Sequence, residues 1–393
     1  MKFLVAGYGS RGDVEPCIAV AGELVRRGHD VQMAVTVPPE LSAFTTSLGL
    51  TGVPYGRTWQ TLLADGDFVH MMENPINHIQ QAVEFVSQLC SEKTTTLMSM
   101  ADGVDLLVAG MTEQSIVANI ADYHRIPLAV LNFFPAQLLE QTSPGMKASN
   151  HAALDQRRAL GLPAEAGFSA QPLEIQAYDA LCAPKLADEW ARGDGRRPFV
   201  GAITLELPTD ADDEVLSWIA AGQPPVYFGF GSMPLAAPDV LVAQISETCA
   251  LLKERALIHM GPNDFSDISH PDHVKVVGAV NNATVFPACT AVVHHGGAGT
   301  TAAGLRAGIP ALILWNGLDQ PFWATAVHYL GVGGGQKFSL TSQEALATGL
   351  RIILAPEYVA RAREVATQMT KPAESLSQTA DLLEEAARQG REG

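Results

Sequence analysis

Short apolar segments of four or five residues alternate with longer amphipathic segments along most of the chain. Residues 16–27 are typical of the longer kind, because Ile18, Leu24 and Val25 recur near the helical period. Pro16 stands in the first turn of this segment and Arg-Arg-Gly ends it, which are common start and stop signals. We therefore predict a helix over residues 16–27. Strands that alternate with such helices form β-α-β units, so we expect parallel sheets covered by helices.

The same alternation occurs in both halves of the chain. Between them, residues 193–225 are rich in Pro, Gly and Asp, which favours a connection between domains. We predict two doubly wound α/β domains, at 1–200 and 201–375, and a final helix at 376–393 that returns to the N-terminal domain. Residues 141–167 show little periodicity and are expected to form a surface loop with short helices. The predicted strands are 3–6, 31–35, 105–109, 128–131, 226–230, 256–260, 274–277, 291–294 and 311–314.

The charge of the chain excludes one class of partner. Of 393 residues, 25 are Lys or Arg and 42 are Asp or Glu, so the formal net charge at pH 7 is −17. An acidic chain without a basic run is unsuited to nucleic acid, because neutralising phosphates requires a basic face. An anionic ligand must therefore be held by local groups. With 47% hydrophobic residues the chain can fill the cores of two or three domains of roughly 150 residues each.

The cysteines indicate a reducing compartment. The five are far apart and never in C-x-x-C spacing, so neither a disulfide framework nor a zinc site is indicated. The first residues contain no apolar core of a signal peptide, and no apolar run approaches the ~20 residues of a membrane-spanning helix. We therefore expect a cytoplasmic protein that does not cross a membrane. The cysteines are Cys17, Cys90, Cys182, Cys249 and Cys289.

The first predicted strand ends in a glycine-rich turn, G-Y-G-S-R-G at residues 7–12. This matches the G-x-G-x-x-G pattern of dinucleotide-binding folds and, taken alone, suggests an NAD-dependent oxidoreductase. That interpretation is weak, because the second strand does not end in the acidic residue that would bind the ribose. Asp13 follows the glycines directly. It is either a carboxylate that faces a ligand or a helix N-cap.

Two further glycine-rich turns follow predicted strands in the second half. Residues 229–233, G-F-G-S-M, offer backbone amides and the Ser232 hydroxyl to a ligand. Residues 294–301, H-H-G-G-A-G-T-T, lead into a helix whose N-terminal amides and positive dipole end suit a diphosphate. His295 adds an imidazole donor there, or is a structural histidine. The second of these turns is the stronger signal.

Two acidic motifs remain. Asp319 and Gln320 follow the next strand, so they reach the same edge of the sheet, where a carboxylate and an amide can bind sugar hydroxyls. The alternative is a capped helix with a solvated aspartate. Asp210 and Asp212 form a D-x-D pair, which in other transferases binds a divalent metal. Here the pair precedes a helix and follows no apolar strand, so we predict a helix N-terminus and no metal.

Together these motifs resemble inverting nucleotide-sugar glycosyltransferases of the GT-B fold, over nearly the whole chain. The similar branch contains glycopeptide-antibiotic, sterol and mycobacterial glycopeptidolipid transferases, of which the last are most similar. The resemblance rests on G-S-R-G-D-V-E-P at 9–16, V-Y-F-G-F-G-S-M at 226–233 and H-H-G-G-A-G-T-T-A-A-G at 294–304. It implies two Rossmann-like domains that face each other across a cleft.

The resemblance also implies roles for single residues. Asp13 corresponds to the catalytic base, where the wider family often has His. The nucleotide base is expected against residues 277–280 and the donor sugar at Asp319 and Gln320. Leu318 departs from the glycine of the sterol enzymes, which leaves the identity of the sugar open. The residues expected to bind the donor are Arg11, Gly12, Ser232, Met233, Val280, His295, Gly297, Ala298, Gly299, Thr300, Asp319 and Gln320.

The implied function is transfer of a hexose or 6-deoxyhexose from a dTDP- or UDP-sugar to a hydroxyl of a hydrophobic acceptor such as a lipopeptide, without a metal or other cofactor. A sterol or natural-product glucosyltransferase is the alternative within the family, and a sugar-nucleotide epimerase or an NAD-dependent oxidoreductase are alternatives from other classes.

The segment at residues 141–167 is shorter than the acceptor loop of the family. At most loose association with the inner face of the membrane is expected, because an acidic chain is not attracted to anionic lipid. Residues that could line an acceptor pocket, or only pack the core, are Phe68, Met71, Met72, Phe85, Phe133 and Phe134.

Overall fold

The computed structural model of the protein describes residues 1–57, 61–62, 65–66, 78–137, 144–163, 171–231, 237–259, 261 and 268–392. The chain forms two compact units. It passes from unit 1 to unit 2 after Leu205 and returns to unit 1 at Pro372. Unit 1 consists of Met1–Tyr178, Lys185–Leu205 and Pro372–Gly393, and unit 2 consists of Asp179–Pro184 and Glu206–Lys371.

Unit 1 contains a six-stranded sheet. Its strands are β1 (Lys2–Gly7), β2 (Asp30–Val35), β3 (Gly52–Val53), β4 (Leu106–Gly110), β5 (Leu128–Asn132) and β6 (Leu173–Gln176). They lie in the order β3-β2-β1-β4-β5-β6, and each neighbouring pair is parallel. β4 and β5 are buried along their whole length, as expected for central strands that helices cover on both faces.

Unit 2 repeats this arrangement. Its strands are β7 (Val226–Gly229), β8 (Ala256–His259), β9 (Val274–Val277), β10 (Ala291–His294), β11 (Ala311–Trp315) and β12 (Gly333–Lys337). They are parallel, in the order β12-β11-β10-β7-β8-β9. In both sheets the first strand of the unit lies between the second and the fourth, which is the strand order of Rossmann folds. The predicted pair of doubly wound α/β domains is confirmed.

Helices connect the strands. Among the described residues, no helix combines the length and the apolar composition that a membrane crossing requires. Short 3-10 helices occupy Pro39–Leu41, Met111–Glu113, Ala180–Cys182, Phe286–Ala288 and Phe338–Leu340. The α-helices are α1 (Arg11–Arg26), α2 (Ser42–Ser47), α3 (Ile79–Met100), α4 (Gln114–His124), α5 (Pro144–Ala159), α6 (Pro184–Trp190), α7 (Asp212–Ala220), α8 (Pro238–Leu252), α9 (Asn282–Val285), α10 (Ala298–Ala307), α11 (Gln320–Tyr329), α12 (Gln343–Ile353), α13 (Pro356–Ala366) and α14 (Pro372–Glu392).

The C-terminal helix α14 is held to the rest of unit 1 by ion pairs in its middle and near its C-terminal end. Arg27, which follows α1, contacts Asp381 (Nη1 to Oδ1, 2.6 Å) and Glu384 (Nη1 to Oε1, 3.1 Å). Near the C-terminal end of α14, Arg391 Nε lies 2.7 Å from Asp105 Oδ1. Partly exposed pairs of this kind each contribute up to ~1 kcal/mol. The last helix of the chain therefore completes unit 1, although unit 2 precedes it in sequence.

Several elements differ from the sequence predictions. α1 begins at Arg11 and not at Pro16, so Asp13 lies in the first helical turn, with Ser10 as the N-cap. Residues 144–159 form one helix of 16 residues where a loop with short helices was expected. Residues 141–143 and 164–167 lie outside the described residues. The strands β3, β6 and β12 were not predicted.

Candidate active site

Each sheet has one place where its strand order reverses direction. In unit 1 it lies between β1 and β4, and in unit 2 between β7 and β10. Ligands of open parallel sheets bind outside the carboxyl ends of the strands at such a place. The turn after β1 leads to Asp13, and the turn after β10 carries His295. Each unit therefore contains one candidate site.

Asp13 is fixed by Ser10 through one carboxylate oxygen. Asp13 Oδ2 accepts hydrogen bonds from the Ser10 backbone N–H (2.7 Å) and from the Ser10 hydroxyl (2.8 Å). No described residue donates a hydrogen bond to Asp13 Oδ1. Asp13 is therefore not the N-cap itself but the third residue of α1, which binds back to the N-cap Ser10 through one oxygen. That its other oxygen faces a ligand stays a prediction.

Gly9 leaves space for this carboxylate. Its φ of +135° is one that residues with a side chain rarely adopt, and a Cβ there would lie 2.7 Å from Asp13 Cγ. In a dinucleotide-binding turn the corresponding glycine lets the backbone approach a pyrophosphate. Here an acidic side chain occupies that place and would repel the pyrophosphate. This geometry argues against the NAD interpretation of the turn.

Burial raises the pKa of Asp13. The hydrogen bonds from Ser10 act in the opposite direction, and the negative charge of Glu113 raises the pKa further. Glu113 ends the 3-10 helix that follows β4 and is 1% exposed. The net effect is a raised pKa, which makes Asp13 a stronger base than a carboxylate in water.

A buried ion pair lies beside the turn after β1. Lys93 Nζ is 2.8 Å from Glu113 Oε1, and both side chains are at most 3% exposed. The Tyr55 hydroxyl donates to the other oxygen of Glu113 (2.6 Å). The Lys93 ammonium also lies 3.4 Å from the centroid of the Tyr8 ring, a cation–π contact with the residue before Gly9. The pair therefore places a fixed negative charge near Asp13 and supports the turn that leads to it.

Sequence reasoning missed this pair. One signal could have indicated it: Lys93 stands four residues after Leu89 and four before Leu97, on the same side of α3 as these leucines. A lysine at an apolar position of a helix needs a buried partner. Which acidic residue supplies the partner depends on the tertiary packing.

Arg11 and Gly12 lie in unit 1 with Asp13, whereas the other residues predicted to bind the donor belong to unit 2. The Arg11 guanidinium pairs with Glu15 (Nε to Oε2, 2.7 Å), and 42% of its side chain is exposed. Glu15 Oε1 accepts a hydrogen bond from the Leu205 backbone N–H (2.9 Å). Contact of Arg11 or Gly12 with the donor stays a prediction.

His295 fits between two glycines. A Cβ on Gly231 would lie 2.9 Å from His295 Nε2, and a Cβ on Gly297 would lie 2.8 Å from the same atom. Gly231 also has a φ of +59°, so residues with a side chain are disfavoured there on two grounds. His295 Nδ1 is buried and has no hydrogen-bond partner among the described residues. Burial lowers the pKa of His295, so the ring is neutral at pH 7 and can donate one hydrogen bond to a ligand.

The helix α10 begins three residues after His295, at Ala298. Its N-cap, Gly297, has no side chain that could bond to the first amides. The N–H groups of Ala298, Gly299 and Thr300 therefore have no partner inside the helix. Unpaired amides at the positive end of a helix dipole suit a phosphate group. The structure thus brings His295 together with the predicted residues of this turn.

His294 has a different role from His295. It is fully buried, and its Nδ1 accepts a hydrogen bond from the Gly296 backbone N–H (3.1 Å). Burial and, to a lesser degree, the neighbouring His295 lower its pKa to about 3. An accepting Nδ1 requires a neutral ring with the proton on Nε2. His294 therefore fixes the backbone of the turn that leads to α10.

The turn after β11 lies against the turn after β10, which carries His295. A Cβ on Gly296 would lie 3.0 Å from the Cβ of Gln320. Gln320 Oε1 accepts a hydrogen bond from the Asn316 backbone N–H (2.7 Å), and Asp319 Oδ2 accepts one from Trp323 Nε1 (3.0 Å). Both side chains thus bind within their own turn and helix, and both lie beside the diphosphate candidates. Asp319 is the N-cap residue of α11 but makes no side-chain cap hydrogen bond, so the capped-helix alternative is not confirmed either. Binding of the sugar by this pair stays a prediction.

The remaining predicted residues lie in separate elements of the two units or outside the described residues. Val280 lies in the turn after β9 and is half-buried. Phe133 and Phe134 follow β5 and are 7% and 8% exposed, and Phe85 lies in α3. The residues that lie outside the described part of the chain are Ser232, Met233, Phe68, Met71 and Met72.

Both halves of the chain match families of glycosyltransferases or of related biosynthetic proteins. Residues 3–117 match the glycosyltransferase family 28 N-terminal domain. Residues 243–382 match the C-terminal domain of the erythromycin biosynthesis protein CIII-like family. The first match contains the Asp13 turn, and the second contains the His295 turn and α10.

Similar proteins extend this result to the full length. An uncharacterized glycosyltransferase of Mycobacterium tuberculosis is 51% identical over 419 aligned residues that cover 100% of both chains. Glycosyltransferase GtfE of Amycolatopsis orientalis is 28% identical over 98% of this chain and 97% of its own. The structure of spinosyn rhamnosyltransferase SpnG complexed with thymidine diphosphate has the same fold, with a TM-score of 0.69 at 17% identity over 97% of this chain and 100% of that chain. The chain therefore belongs to the family of GT-B-fold glycosyltransferases.

Proposed function

We propose that this protein is an inverting glycosyltransferase that moves a hexose or 6-deoxyhexose from a dTDP- or UDP-sugar to a hydroxyl of a hydrophobic acceptor, with Asp13 as the general base. The proposed acceptor is a lipopeptide of the glycopeptidolipid type, and a sterol or another natural product is the alternative. The observation that carries the proposal is the asymmetry of the Asp13 carboxylate. Ser10 holds one oxygen, and no described residue donates to the other.

The chemical step uses the second oxygen. Asp13 Oδ1 accepts the proton of the acceptor hydroxyl while the hydroxyl oxygen forms a bond to the anomeric carbon. The bond between that carbon and the diphosphate oxygen breaks, and the nucleoside diphosphate leaves with the electron pair. Attack from the opposite face inverts the configuration. A positioned base contributes typically ~10²–10⁴-fold, and alignment of hydroxyl and sugar supplies much of the remaining acceleration.

The proposed donor site is in unit 2. The amides of Ala298, Gly299 and Thr300 and the imidazole of His295 would stabilise the charge that develops on the departing diphosphate. In this scheme they replace the divalent cation of metal-dependent transferases. The base would lie against residues 277–280 and the sugar hydroxyls against the turn after β11. The thymidine diphosphate of the SpnG structure supports a thymidine-linked donor.

The proposed reaction takes place in the cytoplasm. At most loose association with the inner face of the membrane is proposed, because a net charge of −17 gives no attraction to anionic lipid. A lipidic acceptor would then be reached from the aqueous side.

A ligand screen followed by product analysis tests the proposal. Thermal unfolding is measured with dTDP- and UDP-hexoses and 6-deoxyhexoses, with ADP-glucose, GDP-mannose and NADH as comparison ligands, because a bound ligand raises the unfolding temperature. Donors that stabilise the protein are then incubated with lipopeptide and sterol acceptors, and the anomeric configuration of the product is determined by NMR. We expect stabilisation by a pyrimidine nucleotide sugar and an inverted product. Selective stabilisation by NADH, or retention of configuration, would contradict the proposal.

A further inference from the structure

Asp212, the second residue of the D-x-D pair, has both carboxylate oxygens engaged. Its Oδ2 accepts a hydrogen bond from the Thr209 backbone N–H (2.9 Å), and its Oδ1 accepts one from the Thr209 hydroxyl (2.7 Å) and one from the Asn281 backbone N–H (2.9 Å). Only 7% of the residue is exposed. Burial acts to raise the pKa of Asp212, but the hydrogen bonds from Asn281 and Thr209 outweigh it and lower the pKa. The charged carboxylate therefore joins the start of α7 to the turn after β9.

Asn281 is held through both its backbone and its side chain. Asp212 binds its backbone N–H, and the Asn281 side-chain Oδ1 accepts a hydrogen bond from the Ala283 N–H (3.1 Å) and caps α9. The strand before the turn is also tied to α7, because Lys275 Nζ in β9 lies 2.6 Å from Glu214 Oε1. The Lys275 pair is partly exposed and weak. Among the residues that the structure describes, the buried hydrogen bond from Asn281 to Asp212 therefore ties the end of this turn to α7.

We propose that Asp212 is a positioning residue for the nucleotide base: through the Asn281 N–H it fixes the backbone of residues 277–280, against which the base of the donor lies. This inference rests on the proposed function, which assigns the base to that turn. Backbone groups that are already ordered bind a ligand more tightly, because ordering them during binding costs free energy. The diphosphate has separate partners in His295 and α10. Loss of the hydrogen bond between Asn281 and Asp212 should therefore weaken binding of the nucleoside and leave binding of the diphosphate unchanged.

Calorimetry on the full chain tests this separation. The affinities of thymidine diphosphate, uridine diphosphate and inorganic pyrophosphate are measured for the wild type and for Asp212→Ala, with pyrophosphate at millimolar concentration. We expect Asp212→Ala to weaken the binding of both nucleoside diphosphates about tenfold, because the ligand must then order the turn that this hydrogen bond holds in the wild type. The affinity for pyrophosphate should not change. In transfer assays the KM for the donor should rise more than kcat falls.

A second variant removes the other partner of the bond. Asn281 has φ −76° and ψ 106°, which proline can adopt, so Asn281→Pro deletes the N–H while Thr209 still binds Asp212. It should produce the same selective loss as Asp212→Ala. Asn281→Pro also removes the side-chain cap of α9, so it is compared with Asn281→Ala, which loses the same cap but keeps the N–H. If Asp212→Ala does not fold, a selective loss in Asn281→Pro that is absent from Asn281→Ala decides the matter, because the hydrogen bonds between Thr209 and Asp212 are intact in both variants.

Two control variants each remove one hydrogen bond of unit 2 and keep the bond from Asn281 to Asp212. Thr209→Val deletes the hydroxyl bond to the same carboxylate, and Ser342→Ala deletes the N-cap of α12 elsewhere in unit 2. Both should bind nucleotides like the wild type. Unchanged nucleotide affinity in folded Asp212→Ala or Asn281→Pro, or an equal loss for pyrophosphate, would overturn the inference. Failure of the wild type to bind any of the three ligands would instead contradict the proposed function.

Discussion

Asp13 and Asp212 each accept two hydrogen bonds from a hydroxyl residue three positions earlier in the chain. Among the described residues, only Asp212 accepts a further hydrogen bond, from the distant Asn281. Each lies three residues after a hydroxyl residue, Ser10 or Thr209, and accepts hydrogen bonds from its backbone N–H and its hydroxyl. Asn281 donates to Asp212 Oδ1, whereas no described residue donates to Asp13 Oδ1. The pKa is lowered for Asp212 and raised for Asp13. The first is suited to a structural role and the second to proton transfer.

Replacing Asp13 with Asn should abolish transfer without impairing the donor site. We expect the rate to fall by ~10²–10⁴-fold, the contribution of a general base. The affinity for thymidine diphosphate should remain that of the wild type, because the proposed partners of the diphosphate, His295 and the first amides of α10, lie in unit 2. The unfolding temperature should not fall, since ionising Asp13 in the folded state costs free energy. Asp30→Asn, at an exposed carboxylate of the same unit, is the control, and substantial transfer by Asp13→Asn would exclude the base role.

The pH dependence of transfer should report the raised pKa of Asp13. Only the ionised carboxylate accepts a proton, so kcat/KM should rise with pH through a value above the ~3.9 of a free aspartate. Ser10→Ala removes a hydrogen bond that lowers this pKa, so the rising limb should move to higher pH. Ser10→Thr keeps the hydroxyl and should leave the limb in place. A limb that is identical in Ser10→Ala and the wild type would mean that another group controls it.

His295→Ala should weaken binding of thymidine diphosphate about tenfold, since one buried hydrogen bond to a charged group is lost. The ring is neutral in the free protein because burial lowers its pKa. A bound diphosphate favours the protonated ring, so wild-type affinity should increase as the pH falls from 8 toward 6. His295→Ala should lack this increase. Exposed His328→Ala is the control, and wild-type affinity in His295→Ala would show that the donor site is elsewhere.

His294 should make unit 2 sensitive to acid. Its pKa is about 3 in the folded protein and ~6.5 in an unfolded chain. Between these values the unfolded state binds a proton that the folded state does not, so the free energy of unfolding should decrease as the pH falls, by up to ~1.4 kcal/mol per pH unit. In His294→Asn the amide oxygen can accept the Gly296 N–H without titrating. Denaturant unfolding from pH 7 to pH 4 should show a shallower slope for this variant, and an equal slope would assign the effect to other groups.

Leu318→Gly should stabilise the protein. Leu318 has a φ of +57° and is 76% exposed, so it has backbone strain and little packing to offset it. Relief of the strain, reduced by the greater entropy of glycine in the unfolded chain, should raise the free energy of unfolding by about 0.5–1 kcal/mol. Leu340, which is 73% exposed and has no positive φ, is the control, and Leu340→Gly should destabilise. Destabilisation by Leu318→Gly would imply that the leucine side chain makes a stabilising contact.

The sequence predicted the central strands of both sheets, because strands buried on both faces are continuous apolar runs. It missed β3, β6 and β12, which lie at sheet edges. An edge strand pairs on one side only and is partly exposed, so it does not require an apolar run; β12 reads G-G-G-Q-K. The start of α1 was misjudged for a local reason. Pro16 resembles a helix start, but Ser10 and Asp13 form a stronger cap further upstream.

The sequence by itself determined the fold class and the turns that carry the candidate residues, because both follow from local patterns of apolar residues, glycines and caps. Tertiary structure decided what those residues can do. Ser-x-x-Asp at 10–13 and Thr-x-x-Asp at 209–212 are similar as sequences. Their carboxylates differ in part because Asn281, 69 positions beyond the second motif, donates to Asp212, and because burial and Glu113 raise the pKa of Asp13. The pairing of Lys93 with Glu113 is of the same kind. Burial and charge around a carboxylate depend on which distant segments the fold places beside it, and no local pattern encodes that choice.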